Sequence, residues 1–511
     1  MSIKRLHNWK IPAIFAFVFI LFVYFRVKPI YYQTVPYTYD QGRDFLKAEE
    51  IVRFHNPTFI GPTTGIQGVN HGVWWYYFLA MQYFIFNGNP SGFYYGVLAM
   101  MFISTLLFTI FLKKEFGNHI ALLFLLIVTI SPYFIGISFF AANNILAPPF
   151  VLLFIFSIYK FLQISTSFNK SPLISMSLYK YLFLIGLSLG FIFEAEMPLG
   201  LFIIPSFFVA SILFKEVRSS FRKLNNLFFL ILGLVLPFTF RILFEIKHNF
   251  IQTKSIIYFF KHPSATNAQG LDGILRERAL LFLSYFQEIF YDNNKIIVFG
   301  AILVLGGIFI CGYKRFEKLH RRLFLFFSSM ILFIFLFSLS YRNNFFWDYY
   351  LEGIHYIFLF YILLLFYIST IIDTKKRLLT VILVLFSILA IFYLGKELTK
   401  QNNTPYIGLR ADIKTVETVY SLVGKNDFCA RIYTPPVVPY TYNYLFHYKS
   451  LQGYKVPLEN PMNTMCIIII DSDQYTFRID EWRKTNIPVD FILEKKIVLP
   501  NNVRVEVWKQ K

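Results

Sequence analysis

Apolar residues run along this chain in blocks of about fifteen to twenty, and polar residues gather in the short gaps between them. The blocks occupy residues 11–25, 72–86, 93–112, 120–134, 145–162, 181–193, 199–214, 227–244, 296–313, 323–339, 354–372 and 378–394. A helix that crosses a bilayer needs ~20 mostly apolar residues, range about 17–25. The shorter blocks are completed by flanking Tyr, Trp and Lys, which reach into the interface. A large water-soluble core would instead place polar residues at helical spacing inside the blocks, and they hold very few. The pattern predicts a polytopic α-helical membrane protein. Lys4, Arg5 and Lys10 precede the first block in the manner of a signal peptide, but no small-residue cleavage site follows it. The chain continues Arg26-Val27-Lys28-Pro29, so the block reads as a retained helix, with Arg26 and Lys28 as snorkelling anchors.

The basic residues decide the topology. They cluster at Lys4/Arg5/Lys10, Lys113/Lys114, Lys160/Lys170/Lys180, Lys215/Arg218/Arg222/Lys223, Lys314/Arg315/Lys318/Arg321/Arg322 and Lys375/Lys376/Arg377. Lys and Arg are retained in cytoplasmic loops, and all six clusters share one side only if block 72–86 does not cross. That Trp- and Tyr-rich block therefore reads as an outer juxtamembrane helix. About eleven transmembrane helices remain, with the N-terminus cytoplasmic and the C-terminus extracytoplasmic, as expected of a multi-pass plasma-membrane protein. Much of the formal +20 charge is then topological, and nucleic acid is not an expected partner. The inner loops are short and basic, with no Gly-rich phosphate loop, so chemistry belongs outside.

From Asp412 the pattern changes. A helix near 413–423, a strand at 428–433, a helix near 440–448, a strand at 465–471 and a hairpin over 491–508 turning at Pro500-Asn501-Asn502 predict a small α/β domain. Residues 1–395 then form the transmembrane domain and 396–511 the extracytoplasmic one. Cys429 and Cys466 fall in neighbouring strands, either as a disulfide in an oxidising compartment or as buried thiols. Composition agrees with the whole scheme: 56% hydrophobic, 20% aromatic, only 15% charged, and a mean hydropathy of +0.53, against roughly 25% charged in ordinary soluble domains.

Few ionisable residues stand out on the outer side. Asp40, Asp44 and Lys47 share one face of a predicted helix, read on charge spacing alone as a solvated, N-capped surface helix. A turn-rich loop, Gly61-Pro62-Thr63-Thr64-Gly65, leads to His71 and the aromatic block. Glu194 and Glu196 lie between two apolar blocks, and Arg241 and Glu245 end another. Charges at a helix centre cost roughly 2.5–3.5 kcal/mol, so they tend to face a polar cavity. Arg241 and Glu245, spaced i, i+4, could also simply neutralise one another. No metal-ligand spacing is present.

Four segments resemble the GT-C superfamily of polyprenyl-phosphate-sugar glycosyltransferases, in particular the branch with the protein O-mannosyltransferases and lipid A aminoarabinose transferases. Tyr39-Asp40-Gln41-Gly42-Arg43-Asp44 sits where that family has an acidic motif in its first outer loop. His71-Gly72-Val73-Trp74-Trp75-Tyr76-Tyr77-Phe78-Leu79-Ala80 resembles its juxtamembrane aromatic segment. Leu236-Pro237 followed by Phe244-Glu245-Ile246-Lys247-His248 resembles a Pro…Phe-Glu-x-(Arg/Lys)-His pattern of bacterial members. The tail with Tyr440-Thr441-Tyr442-Asn443-Tyr444-Leu445 resembles theirs as well. Many relatives have Asp-Glu where this chain has Asp40-Gln41, Lys-Pro-Pro at His71-Gly72-Val73, and an acidic residue at Asn143-Asn144.

The resemblance implies a glycosyltransferase, inverting at the sugar, that moves a hexosyl or pentosyl group from a polyprenyl phosphate to an acceptor hydroxyl on a protein, lipid or glycan. It assigns Asp40 as the catalytic carboxylate and makes Arg43, His71, Arg241, Lys247 and His248 candidates for the leaving phosphate. Asp44, Glu194, Glu196 and Glu245 complete the expected substrate-binding set. No nucleotide site is required, and a divalent cation near Asp40 or Glu194 and Glu196 is left open as the one candidate cofactor. The rival readings are a polysaccharide polymerase or ligase, against which the Asp40 loop and soluble tail argue, and a lipid-linked sugar transporter, against which the absence of an internal repeat argues.

Overall fold

The computed structural model describes residues 3–166, 172–262, 270–289, 305–307, 309–310, 312–342, 345–372, 377–399, 406–458, 465–487 and 490–510. In chain order the first helices are α1 (Ile3–Tyr31), α2 (Tyr39–Arg53), α3 (Trp74–Ile85), α4 (Pro90–Phe116), α5 (Asn118–Ile130), α6 (Pro132–Gly136), α7 (Ala147–Thr166), α8 (Pro172–Ala195), α9 (Met197–Leu213), α10 (Lys215–Phe221), α11 (Leu224–Val235), α12 (Thr239–Lys247), α13 (Ile251–Lys261) and α14 (Leu271–Glu288). Helices Lys318–Ser338, Ile354–Ile372 and Arg377–Thr399 follow, before the tail.

Each predicted apolar block other than 296–313 becomes helical, and that one lies mostly outside the described residues. Among the described residues six stretches are long and apolar enough to cross a membrane: Lys10–Tyr31, Pro90–Phe116, Asn143–Ser165, Met176–Ala195, Leu224–Lys247 and Lys318–Ser338. A seventh results if Asn118–Ile130 and Pro132–Phe139, bent by 69°, form one span. Met197–Leu213, Ile354–Ile368 and Thr380–Leu389 are shorter apolar helices. The faces turned away from the bundle are apolar too: Ile11, Ile14, Phe17 and Ile20 are all exposed along one side of α1. Water would demand polar residues there and lipid does not, so this is a membrane protein. Block 72–86 yields α3, 12 residues long, well under the ~20 needed to cross, and packed on α2 and α4.

One expectation for α1 fails. Arg26 is fully buried rather than snorkelling. Its guanidinium donates to Ser138 Oγ at 2.9 Å and to the Val128 and Phe134 carbonyls at 2.7 and 2.9 Å. Those carbonyls flank the bend after Ile130, where Pro132 has no amide hydrogen to give. Arg26 supplies the donors that the interrupted helix lacks.

The tail forms a four-stranded sheet of order β1-β2-β4-β3. Its strands are β1 (Cys429–Tyr433), β2 (Cys466–Ile470), β3 (Phe491–Val498) and β4 (Arg504–Gln510). β1 pairs parallel to β2, and β2–β4 and β4–β3 are antiparallel. The run Cys466-Ile467-Ile468-Ile469-Ile470 is buried throughout, as befits a central strand covered on both faces. Cys429 and Cys466 are register partners, 4.5 Å apart at Cα, and form a disulfide. Helices Gly408–Val423 and Tyr440–Ser450 follow the sequence reading closely. Helix Thr476–Asn486 was not expected; it lays Ile479 and Trp482 on Tyr433, Ile468 and Ile470.

The tail is fastened to the start of the chain. The Tyr37 hydroxyl donates to the Thr441 carbonyl at 3.0 Å, and the Tyr444 hydroxyl to the Gly88 carbonyl at 2.6 Å. The Leu409 and Arg410 amides donate to the Val35 and Gln33 carbonyls. Glu49 accepts from Arg53 and meets His447 at 2.8 Å.

Candidate functional site

Helix α2 carries the first half of the site. Gln41 Oε1 accepts from the Thr38 amide at 2.9 Å and from its hydroxyl at 2.7 Å, a capping box that puts Asp40 in the first turn beside the positive helix end. The helix is not solvated as its charge spacing suggested. Gln41, Gly42, Asp44, Phe45, Ala48 and Glu49 are buried, because α3 covers one side and the Tyr440–Ser450 helix the other. At Gly42 a Cβ would lie 2.5 Å from the Tyr440 carbonyl carbon, so no side chain fits.

Lys47, expected to share a face with the aspartates, pairs instead with Glu50 at 2.7 Å. Arg43 holds both aspartates: its Nη1 meets Asp40 Oδ1 at 2.9 Å and its Nη2 meets Asp44 Oδ1 at 2.8 Å. Asp44 is buried and accepts from Trp75 Nε1 at 2.8 Å. Burial pushes its carboxyl up to about 6 against the pull of Arg43 and Trp75. Asp40 differs: its side chain is 43% exposed, so one acidic group faces outward from a rigid frame.

The loop over residues 61–72 brings in the second half. The Gly61 amide donates to the His71 carbonyl and the His71 amide to the Pro62 carbonyl, which closes the turn the sequence predicts. The Gly72 amide donates to the Glu194 carbonyl at 2.6 Å, and a Cβ on Gly72 would collide with the Glu194 side chain. His71 is thereby buried against the C-terminal end of α8. Burial and the guanidiniums of Arg241 and Arg43 lower its pKa to about 3, which keeps the ring neutral. Its Nδ1 has no partner among the described residues.

Arg241 pairs with Glu194 rather than with Glu245. Its Nε donates to Glu194 Oε1 at 2.5 Å and its Nη1 to Gln252 Oε1 at 3.0 Å. Gln252 Oε1 also accepts from the Asn70 amide at 2.8 Å, which fixes which end of the amide is oxygen. Arg241 Nη2 and Gln252 Nε2 are buried with no partner among the described residues. Glu245 accepts from the Gln252 and Thr253 amides and the Thr253 hydroxyl. It thus satisfies amide donors at the start of α13, as a helix N-terminus requires. Lys247 and His248 are exposed, and His248 Nδ1 sits 2.9 Å from the Phe244 carbonyl.

Glu196 is buried, with Oε1 unpartnered among the described residues. Burial and the nearby Glu352 push its carboxyl well up. It lines a small cavity of about 20 Å³ with His71, Thr64, Gly65 and Tyr350, enough for one water, which needs about 10–15 Å³. Among the described residues no group of three or more His, Cys, Asp and Glu is arranged to hold a metal ion.

Sequence reasoning passed over a third wall. Glu352 is buried and accepts from the Tyr133 hydroxyl. Burial and the Glu288 carboxyl push it up to about 7, against the pull of Tyr133. The Tyr133 ring stacks on His355 at 3.6 Å, and His355 Nε2 meets Glu288 Oε2 at 2.8 Å. Tyr349 lies in the field of both Glu196 and Asp40. The criterion that singled out Glu194, an acidic residue at the end of an apolar block, applies equally to Glu352 ahead of block 354–372. On the flank, α3, α4 and α7 enclose an apolar groove of about 850 Å³ lined by Phe78, Tyr95, Met100, Leu107, Phe111 and Phe156, among others.

No protein-family model matches this chain, and no curated protein does. Two solved structures match it nearly end to end. The crystal structure of ArnT from Cupriavidus metallidurans in the apo state has a TM-score of 0.59 at 11% identity. The same protein bound to undecaprenyl phosphate has a TM-score of 0.58 at 10% identity. Each match covers 98% of this chain and 98% of the other. At such identity the likeness is one of fold alone.

Proposed function

We propose that this protein is a membrane glycosyltransferase that moves a sugar from a polyprenyl-phosphate donor to an acceptor hydroxyl at the face bearing the tail domain. The observation that carries the reading is the pair of buried, unpartnered donors, Arg241 Nη2 and Gln252 Nε2, beside neutral His71. Unmet N–H groups in a buried site are costly unless a ligand accepts from them, and an anionic phosphate oxygen does so best. The apolar groove beside α3 suits a polyprenyl tail. The likeness in fold to an undecaprenyl-phosphate-bound protein supports the same ligand class.

In this reading Asp40 takes the proton of the acceptor hydroxyl as its oxygen attacks the anomeric carbon. The bond from that carbon to the phosphate oxygen breaks on the opposite face, inverting the centre. The electron pair leaves on the polyprenyl phosphate, whose charge Arg241 and Gln252 stabilise. Arg43 keeps Asp40 oriented without burying it. About eleven spans, a cytoplasmic N-terminus, an extracytoplasmic tail and a boundary between residues 395 and 396 belong to the same proposal. Titration of purified protein in nanodiscs with undecaprenyl phosphate tests it. Saturable binding, weakened at least tenfold by Arg241→Lys, is expected; no binding by the wild type overturns it.

A further inference from the structure

The tail domain and the segment leading into α2 enclose a polar cleft of about 400 Å³, lined by Tyr39, Tyr406, Asp412, Pro436, Asp471 and Asn501, among others. That volume is at the lower end of small-molecule sites. The Tyr442 hydroxyl stands between two of its carboxyls. It donates to Asp471 Oδ1 at 2.6 Å and also lies within hydrogen-bonding reach of Asp412. One phenolic proton is thus shared between two carboxyls that line the cleft. Among the described residues no cation acts on either group, and burial pushes Asp471 up to about 6 and Asp412 well above the usual range.

The lining rules out some occupants. Asp471, pushed only to about 6, is ionised at neutral pH and repels a phosphate or any other anion. A small metal ion would need both carboxyls to converge on it, and the Tyr442 hydroxyl occupies that convergence point. What fits is a neutral ligand rich in hydroxyl donors, with flat faces to lie on Tyr39 and Tyr406. A sugar has both properties. Position adds a second argument: Tyr39 lines the cleft and immediately precedes Asp40.

We propose that this cleft binds a saccharide and holds the body of a glycan acceptor while its reacting hydroxyl reaches Asp40. The role as acceptor site rests on the transferase reading; the binding of sugar does not. Both are separable in one experiment on the full-length protein in nanodiscs. A printed array of gluco-, manno-, galacto- and N-acetylglucosamine-configured tri- to hexasaccharides is probed with wild type, Asp471→Asn and Tyr39→Ala. The best ligand is then titrated calorimetrically, and undecaprenyl phosphate is titrated on the same samples. The expected result is saturable binding of at least one saccharide, weakened tenfold or more in both variants, with undecaprenyl phosphate binding unchanged. The proposal is overturned if wild type retains no saccharide or if both variants bind it normally. Loss of undecaprenyl phosphate binding in wild type alone would count against the donor reading and leave the saccharide site standing.

Discussion

Arg241 meets Glu194 at 2.5 Å across 47 positions of sequence, while Glu245, one helical turn along from Arg241, bonds elsewhere. Glu194 is only 1% exposed in its side chain, so removing its cation is a structural injury as well as a functional one. Arg241→Ala should destabilise the protein by about 3–5 kcal/mol, the cost of an uncompensated buried charge. Arg241→Lys keeps the charge beside Glu194 but loses the guanidinium fork, and should lower undecaprenyl phosphate affinity at least tenfold while costing less Tm than Arg241→Ala. Lys247→Ala and His248→Ala, both at exposed positions, should leave that affinity unchanged. Equal affinity in Arg241→Lys and wild type would remove Arg241 from the phosphate site.

Asp40→Asn should cut sugar transfer by roughly two orders of magnitude or more, the scale of a lost general base. Expression and detergent stability should stay close to normal, since the side chain is 43% exposed. Asp44→Asn should cost less in turnover and more in Tm, because Asp44 anchors Arg43 and Trp75 in a buried place. Near wild-type transfer by purified Asp40→Asn would return Asp40 to the role of a helix-start residue.

Glu352 holds its proton up to a pH of about 7 in the folded protein, against about 4.3 for an unperturbed glutamate. The unfolded chain therefore releases the proton first as pH rises. Stability conferred by this group is full below pH ~4 and is lost between there and pH 7, by about 4 kcal/mol in all. Glu352→Gln cannot ionise, so the wild-type Tm minus the variant Tm should fall steadily from pH 4.5 to 7.5. A difference that stays flat across that range would contradict the raised carboxyl.

Reporter fusions placed after Lys114 and after Lys511 should report opposite sides of the membrane. Lys114 lies in a basic cluster at the far end of α4, and α3 is too short to cross ahead of it. Identical sidedness for the two fusions would defeat the topology of about eleven spans.

The membrane helices were legible because their signal is repeated in every residue of a block, and the Cys429–Cys466 pairing was narrowed to two options by the strands that carry it. Helix Thr476–Asn486 escaped because Ile479 alone is buried in it, too little to imprint a periodic pattern. The site was half legible. Asp40 and His71 sit in local motifs, whereas Tyr133, Glu288, Glu352 and His355 come together only through tertiary packing. Helical spacing pointed from Arg241 to Glu245, yet the α13 amides claimed that carboxylate and left Arg241 free to reach α8.

Helix α2, which carries Asp40, is emitted early in synthesis, but its clasp comes much later: Tyr37 waits for Thr441, 404 residues on, and Glu49 for His447, 398 residues on. Every span must be inserted before the clasp exists. A chain cut short before Thr441 would therefore keep its hydrophobic helices and lose the contacts that brace α2 from the tail side.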